Sequence, residues 1–118
     1  MKEVGSRQRN QPAPPWAVFD DLCDPDRQPV RQWLDLQDDE IAPTVVDSNR
    51  PMYVVWSSLW IRRPDASVRF ELTAARGGTD LRWTLYVEDP VPHPSFVNHM
   101  RQRIGELINA NLRYTYGQ

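Results

Sequence analysis

The chain has 118 residues, of which 40% are hydrophobic and 25% charged, and this composition predicts one soluble globular domain with a single core. Its formal net charge of −2 excludes a general nucleic-acid binder, because such proteins need a basic surface. The lone Cys23 excludes an intrachain disulfide, and no signal core or apolar run of membrane-spanning length occurs, so we expect a cytoplasmic protein without a membrane partner.

The N-terminal third predicts a tail followed by two short helices. Residues 1–13 are polar and lack periodicity, which predicts a flexible tail before a single domain over residues 14–118. From Pro15 onward, Trp16, Phe19 and Leu22 recur on one helical face, and the pattern ends before Pro25. A second short helix is predicted over residues 29–36, with Trp33 pointing inward.

The middle of the chain predicts an antiparallel sheet. Residues 41–47 form an edge strand interrupted by Pro43, and residues 52–60 are apolar at both alternating sets, which predicts a strand covered on both faces. Residues 67–74 and 79–88 alternate cleanly between apolar and polar side chains. Between them, Arg76-Gly77-Gly78 supplies the glycines of a tight hairpin.

Residues 94–114 predict one long amphipathic helix. Its apolar positions recur at three- and four-residue spacing, from Phe96 and Met100 to Leu107 and Leu112. At 1.5 Å per residue the helix measures roughly 30 Å, long enough to cross a small sheet. The sequence therefore predicts an α+β fold.

Five short motifs, in this order, carry a resemblance to a known superfamily. They are Pro14-Pro15-x-x-Val18-Phe19-x-x-Leu22-x-Asp24-Pro25, Glu40-x-x-Pro43-x-Val45, Arg50-Pro51-x-x-Val54-Val55-Trp56, Val68-Arg-Phe-Glu-Leu72 and Gly77-Gly78-Thr79-x-Leu81. Together with the terminal helix they span roughly residues 14–116 and resemble the helix-grip superfamily. This is the START/Bet v 1-like or SRPBCC group, which includes polyketide cyclase-like and Hsp90-activator-homology proteins. The resemblance implies an antiparallel sheet wrapped around the long C-terminal helix, with two short N-terminal helices.

The chain departs from that superfamily in two places. Its members open with a full strand, for which only residues 4–12 are available here, and the hairpin after the second helix is reduced. The predicted ligand cavity is therefore small, open at one edge, or completed by a second subunit.

Aromatic and apolar residues supply the candidates for the cavity lining. These are Trp33, Trp56, Phe70, Trp83, Met100 and Leu107, with Asn111 as a polar member and His99 as a polar anchor. The alternative is that the same side chains fill the core of a small domain.

No cluster of residues specifies a reaction, so we predict no catalytic residue, metal or cofactor. The leading hypothesis is a binding protein for a small apolar or aromatic molecule. The alternative is an interaction or self-associating module resembling Hsp90-activator-homology proteins, with a second copy of the chain as partner. A cyclase-like enzyme, with His99 or Tyr86 as the proton-transfer group, is a third hypothesis.

Overall fold

The computed structural model of the protein describes residues 1–25 and 33–117. Five antiparallel strands form one sheet in the order β1-β5-β4-β3-β2. The strands are β1 (Lys2–Gln11), β2 (Val45–Asn49), β3 (Tyr53–Trp56), β4 (Ser67–Ala75) and β5 (Gly78–Val87). Strands β2, β3 and β4 each pair with the next strand in sequence, whereas β1 pairs with β5, which is the last strand of the chain.

The β4–β5 hairpin is confirmed at the predicted position. Ala75 pairs with Gly78, so Arg76 and Gly77 form the turn, and Gly77 and Gly78 both have positive φ (82° and 151°). A Cβ atom at Gly78 would lie 2.0 Å from the carbonyl oxygen of Gln11, so glycine is needed for the end of β1 to approach.

β1 corrects the prediction of a flexible tail. Its register runs from Lys2 opposite Val87 to Gln11 opposite Thr79. Gln11 is fully buried and donates from Nε2 to the carbonyl of Ile108 at 2.9 Å. Backbone pairing and this bond fix the strand, although its side chains are mostly polar.

β2 and β3 differ from their predicted extents. β2 is the edge strand, as expected, but it begins at Val45, after Pro43. β3 ends at Trp56, because the Ser58 hydroxyl binds the Trp60 N–H at 3.0 Å and the Arg63 carbonyl at 2.6 Å and holds a local turn. The prediction of burial on both faces was wrong, since the outward Tyr53 and Val55 are half-exposed.

The first predicted helix is present as α1 (Pro15–Cys23), which buries Val18, Phe19 and Leu22 against the sheet. Trp16 was predicted on the inner face, but it is 58% exposed. The second predicted helix, residues 29–36, lies partly outside the described residues. Its described part, residues 33–36, is not helical.

The long terminal helix is confirmed over residues 94–115. It consists of α2 (Pro94–Ile104), a π-helical segment (Gly105–Leu112) and a last turn, α3 (Arg113–Thr115). His93 caps its start, with Nδ1 accepting the Ser95 N–H at 3.1 Å. No described helix is long and apolar enough to cross a membrane.

One core lies between the sheet and the terminal helix. The helix contributes five fully buried side chains, which cluster with the inward residues of β4 and β5: Met100, Ile104, Leu107, Ile108 and Leu112. Attachment of the terminal helix across the sheet, the central feature of the predicted fold, is therefore confirmed.

Candidate ligand clefts

All six aromatic and apolar candidates for the cavity lining belong to the core, and Trp33 and Trp83 are only 5% and 2% exposed. Trp56, Phe70, Met100 and Leu107 are fully buried. Trp56 packs edge-on against Phe70 at 4.6 Å between ring centroids, and its indole N–H donates to the Leu22 carbonyl at 2.8 Å. Trp56, Phe70, Met100 and Leu107 line neither of the two clefts described below.

Trp33 and Asn111 meet at an open cleft of about 610 Å³, which we call the terminal cleft. Asn111 donates from Nδ2 to the Trp33 carbonyl at 3.3 Å, and so joins the two walls. One wall is residues 33–36 and the other is the end of the terminal helix, with the lining residues Trp33, Leu34, Asp35, Leu36, Ala110, Asn111, Tyr114 and Thr115. Most of this lining is apolar or aromatic.

A buried ion pair holds the first wall of the terminal cleft in place. Arg103 donates to both carboxylate oxygens of Glu40, at 2.7 and 2.8 Å, and to the Asp35 carbonyl at 2.6 Å. Its side chain is 7% exposed. The hydrogen bonds to Glu40 are the main reason that the pKa of Arg103 is raised, so the guanidinium keeps its charge. Arg103 thereby ties residues 35–40 to the terminal helix.

A second cleft, of about 540 Å³, lies between β1 and the terminal helix, and we call it the arginine cleft. Three cationic side chains line it: Arg7 and Arg9 from β1 and Arg101 from α2. Trp83, the remaining predicted aromatic, lies at this cleft, opposite Arg7 in the β1–β5 register. The other lining residues are Ser6, Asn98, Gln102, Gly105, Glu106, Asn109 and Ala110.

His99 lies outside both clefts. Its Nε2 is 3.0 Å from Asp39 Oδ2, and its ring stacks on Phe96 at 5.8 Å between centroids. Asp39, Glu40 and His99 bring potential metal ligands within 4.8 Å of one another. Both oxygens of Glu40 already bind Arg103, and that positive charge disfavours a cation beside it. Tyr86 is half-buried on the outer face of the sheet, away from the terminal helix.

Sequence reasoning missed the arginine cleft. Arg7 and Arg9 fell in the predicted tail, and Val4 is the one apolar side chain of β1 that packs against the core, too little to indicate a strand by its periodicity. The only available signal was the alternation of Gly5, Arg7, Arg9 and Gln11 with outward polar residues. Asn109 was also missed, because an α-helical projection places it away from the apolar face.

The class that this architecture defines is the helix-grip fold: an antiparallel sheet with a long C-terminal helix packed across one face. Three solved structures share it at low sequence identity. The Aha1 dimer from Colwellia psychrerythraea superposes with a TM-score of 0.68 at 13% identity, over 93% of this chain and 92% of that one. CalU16 from Micromonospora echinospora gives 0.64 at 16% identity, over 88% of this chain and 70% of that one.

DynU16, a protein in the dynemicin biosynthetic locus, gives a TM-score of 0.68 at 17% identity, over 95% of this chain and 46% of that one. This chain therefore spans about half the length of DynU16. No protein-family model matches the sequence, and no curated protein is significantly similar to it. The three likenesses establish the shared fold.

Proposed function

We propose that the protein binds a small apolar or aromatic molecule in the terminal cleft, without covalent chemistry. The observation that carries the proposal is the meeting of Trp33 and Asn111 across that cleft. Both belong to the lining expected from the sequence, Trp33 as an aromatic residue, 5% exposed and stacked on Trp56 at 6.0 Å between ring centroids, and Asn111 as a polar member. Among the described residues of the lining Asp35 is the one carboxylic acid, which supports binding over catalysis.

The size and chemistry of the terminal cleft suit such a ligand. Pockets for small molecules measure about 300–1,000 Å³ and combine an apolar lining with a few polar groups. The terminal cleft, at about 610 Å³, lies within that range. The Asn111 amide can exchange its long bond to the Trp33 carbonyl for a hydrogen bond to the ligand.

A thermal-shift screen of fatty acids, polyketides and aromatic metabolites tests the proposal. A ligand present at 100 times its Kd should stabilise the protein by about 2.7 kcal/mol, a rise in Tm of several degrees. Asn111→Phe fills the cleft and should abolish this rise. Asn49→Phe makes the same change on the exposed edge strand β2 and should preserve it.

Two results would contradict the proposal: no rise in Tm for any compound with the wild-type protein, or an equal rise with Asn111→Phe. Asn111→Phe itself should cost only about 1 kcal/mol of stability, because it removes one hydrogen bond. The free variants should therefore remain folded, and the comparison reports on binding.

Self-association is a second candidate, supported by the open edge of β1. Among the described residues this ten-residue strand pairs with β5 alone. An unpaired edge can accept a strand from another chain, and the solved Aha1 neighbour is a dimer. Light scattering should then give twice the chain mass of 13.8 kDa. A monomer at the highest soluble concentration would exclude this assembly.

A further inference from the structure

The arginine cleft concentrates positive charge that the protein does not neutralise. Arg7, Arg9 and Arg101 form no ion pair or side-chain hydrogen bond with another described residue. Glu106, the acid of the lining, accepts instead from Arg103 at 2.7 Å and Gln102 at 3.1 Å. Three guanidinium groups therefore face one cleft with their charge available for a ligand.

Two buried polar groups of the same cleft also lack partners within the described chain. Asn109 is 8% exposed, and neither its amide nitrogen nor its oxygen has a hydrogen-bond partner. Trp83 is 2% exposed, and its indole nitrogen likewise has none. Buried polar groups are nearly always hydrogen-bonded, and here both belong to residues that line one cleft.

Local backbone structure places these groups. Gly5 lies beneath Arg101, where an added Cβ would be 2.8 Å from the Arg101 Cγ, so the glycine lets the arginine stem lie against β1. Asn109 lies within the π-helical segment, and it is five residues after Ile104, the last residue of α2. Hydrogen bonding from i to i+5 widens the helical turn and brings Asn109 toward the inward side. π-Helical segments are frequent at functional sites.

From these contacts we infer that the arginine cleft is a second binding site, for a small organic oxyanion bearing phosphate or several carboxylates. Guanidinium groups bind carboxylate and phosphate oxygens in a fork geometry. The Trp83 N–H and the Asn109 amide lie buried behind these guanidinium groups, each polar atom with less than 1 Å² accessible, and we infer that they bind a further oxygen or hydroxyl of the ligand after the cleft opens around it. Of the described lining residues this site shares Ala110 alone with the terminal cleft, and it does not depend on the proposed apolar ligand.

Isothermal titration calorimetry of the full chain tests the site, with pyrophosphate and citrate as probes for the two sources of oxyanion. Saturable binding of either probe is expected, and the stronger one identifies phosphate or carboxylate as the preferred group. The affinity should fall as salt is added, because the cleft is open and its charges are screened. Absence of saturable binding by both probes would overturn the inference.

Variants locate the binding. The double variant Arg7→Gln/Arg9→Gln changes two exposed side chains on β1 and should weaken binding by about tenfold or more. Arg76→Gln changes the charge at the β4–β5 turn, outside the cleft, and should leave affinity unchanged. If Arg76→Gln weakens probe binding as much as Arg7→Gln/Arg9→Gln does, the probe is an adventitious ion only and the proposed site is overturned.

Asn109→Leu provides an independent readout. Replacing an unpartnered buried amide by an apolar side chain of similar size should not lower Tm of the free protein. The same variant should weaken probe binding by about tenfold, since it removes the two polar atoms that we infer to bind the ligand. Unchanged affinity, or a fall in Tm of the free protein, would contradict the role of Asn109 as a ligand anchor.

Discussion

Replacing Glu40 by Leu is expected to lower the free energy of unfolding by about 3 kcal/mol, the lower end of the cost of breaking a buried ion pair, because Arg103 keeps only its ion pair with the more exposed Glu106. Arg103 would lose two charged hydrogen bonds, of 2.7 and 2.8 Å, while its side chain remains 7% exposed. Residues 35–40 would lose their main tie to the terminal helix. Urea denaturation measures the loss directly.

Two further variants separate the stability contributed by the Glu40–Arg103 ion pair from that contributed by neighbouring residues. Glu106→Gln removes the more exposed acid that Arg103 also contacts, and should cost under about 1 kcal/mol. The double variant Glu40→Leu/Arg103→Met should recover most of the loss, because an apolar pair of similar volume replaces a buried ion pair at little cost. A double variant as unstable as the sum of its single variants would show that the two side chains are not coupled.

Replacing Phe70 by Ala is expected to lower the free energy of unfolding by about 3–5 kcal/mol, because the cavity it leaves lies in close-packed surroundings. Phe70 is fully buried, stands opposite Val54 and Trp83 in the sheet ladders, and contacts Trp56 edge-on. The denaturant midpoint should fall with little change in the slope of the transition.

Glu71→Ala is the matched control, one residue further along β4 on the exposed face, and should change stability by less than about 0.5 kcal/mol. A loss of less than about 1 kcal/mol for Phe70→Ala would show that the interior can relax or already holds empty space. The ligand would then bind between the sheet and the helix, as predicted from the sequence, and not in the terminal cleft or the arginine cleft.

Strands and helices whose apolar residues recur with a regular spacing could be predicted from the sequence. β4, β5 and the terminal helix each place their large side chains on one face, and Gly77 and Gly78 mark the hairpin. Burial of that face against a common core provides most of the stabilisation, so the pattern and the fold agree. The α+β fold follows from these three elements, and the helix-grip architecture was predicted from the resemblance of the short motifs and their order.

β1 could not be predicted, because Val4 is the only one of its side chains that packs as an apolar group against the core. Gly5 leaves room for Arg101, Arg7 and Arg9 line a cleft, and only Gln11 is buried, through a hydrogen bond. Hydrophobic alternation detects strands that bury apolar side chains. Such a pattern does not detect a strand that instead forms one wall of a charged cleft.

The residues of the two clefts could be predicted only in part, because apolar composition does not distinguish a cleft residue from a core residue. Aromatic composition indicated Trp33 and Trp83 but could not separate them from Trp56, because all three are large apolar residues near the core. Their distribution between the clefts and the interior depends on tertiary packing. The inward position of Asn109 depends on π-helical hydrogen bonding, for which the sequence offers only Gly105 and neighbouring asparagines of modest α-helical propensity.

The central claim is that ligands bind in two clefts beside the terminal helix, above a filled core. Indole N–H signals in a two-dimensional NMR spectrum test it most directly, because Trp33, Trp56 and Trp83 report on the terminal cleft, the core and the arginine cleft respectively. Citrate or pyrophosphate should shift the Trp83 signal, and an aromatic ligand from the thermal screen should shift that of Trp33. The Trp56 indole N–H, which donates to the Leu22 carbonyl, should keep its signal in place with citrate or pyrophosphate. With the aromatic ligand its signal should shift less than that of Trp33, on which its ring stacks at 6.0 Å between centroids. A large shift of Trp56 with Trp33 and Trp83 unmoved would place the ligand inside the core and contradict the claim.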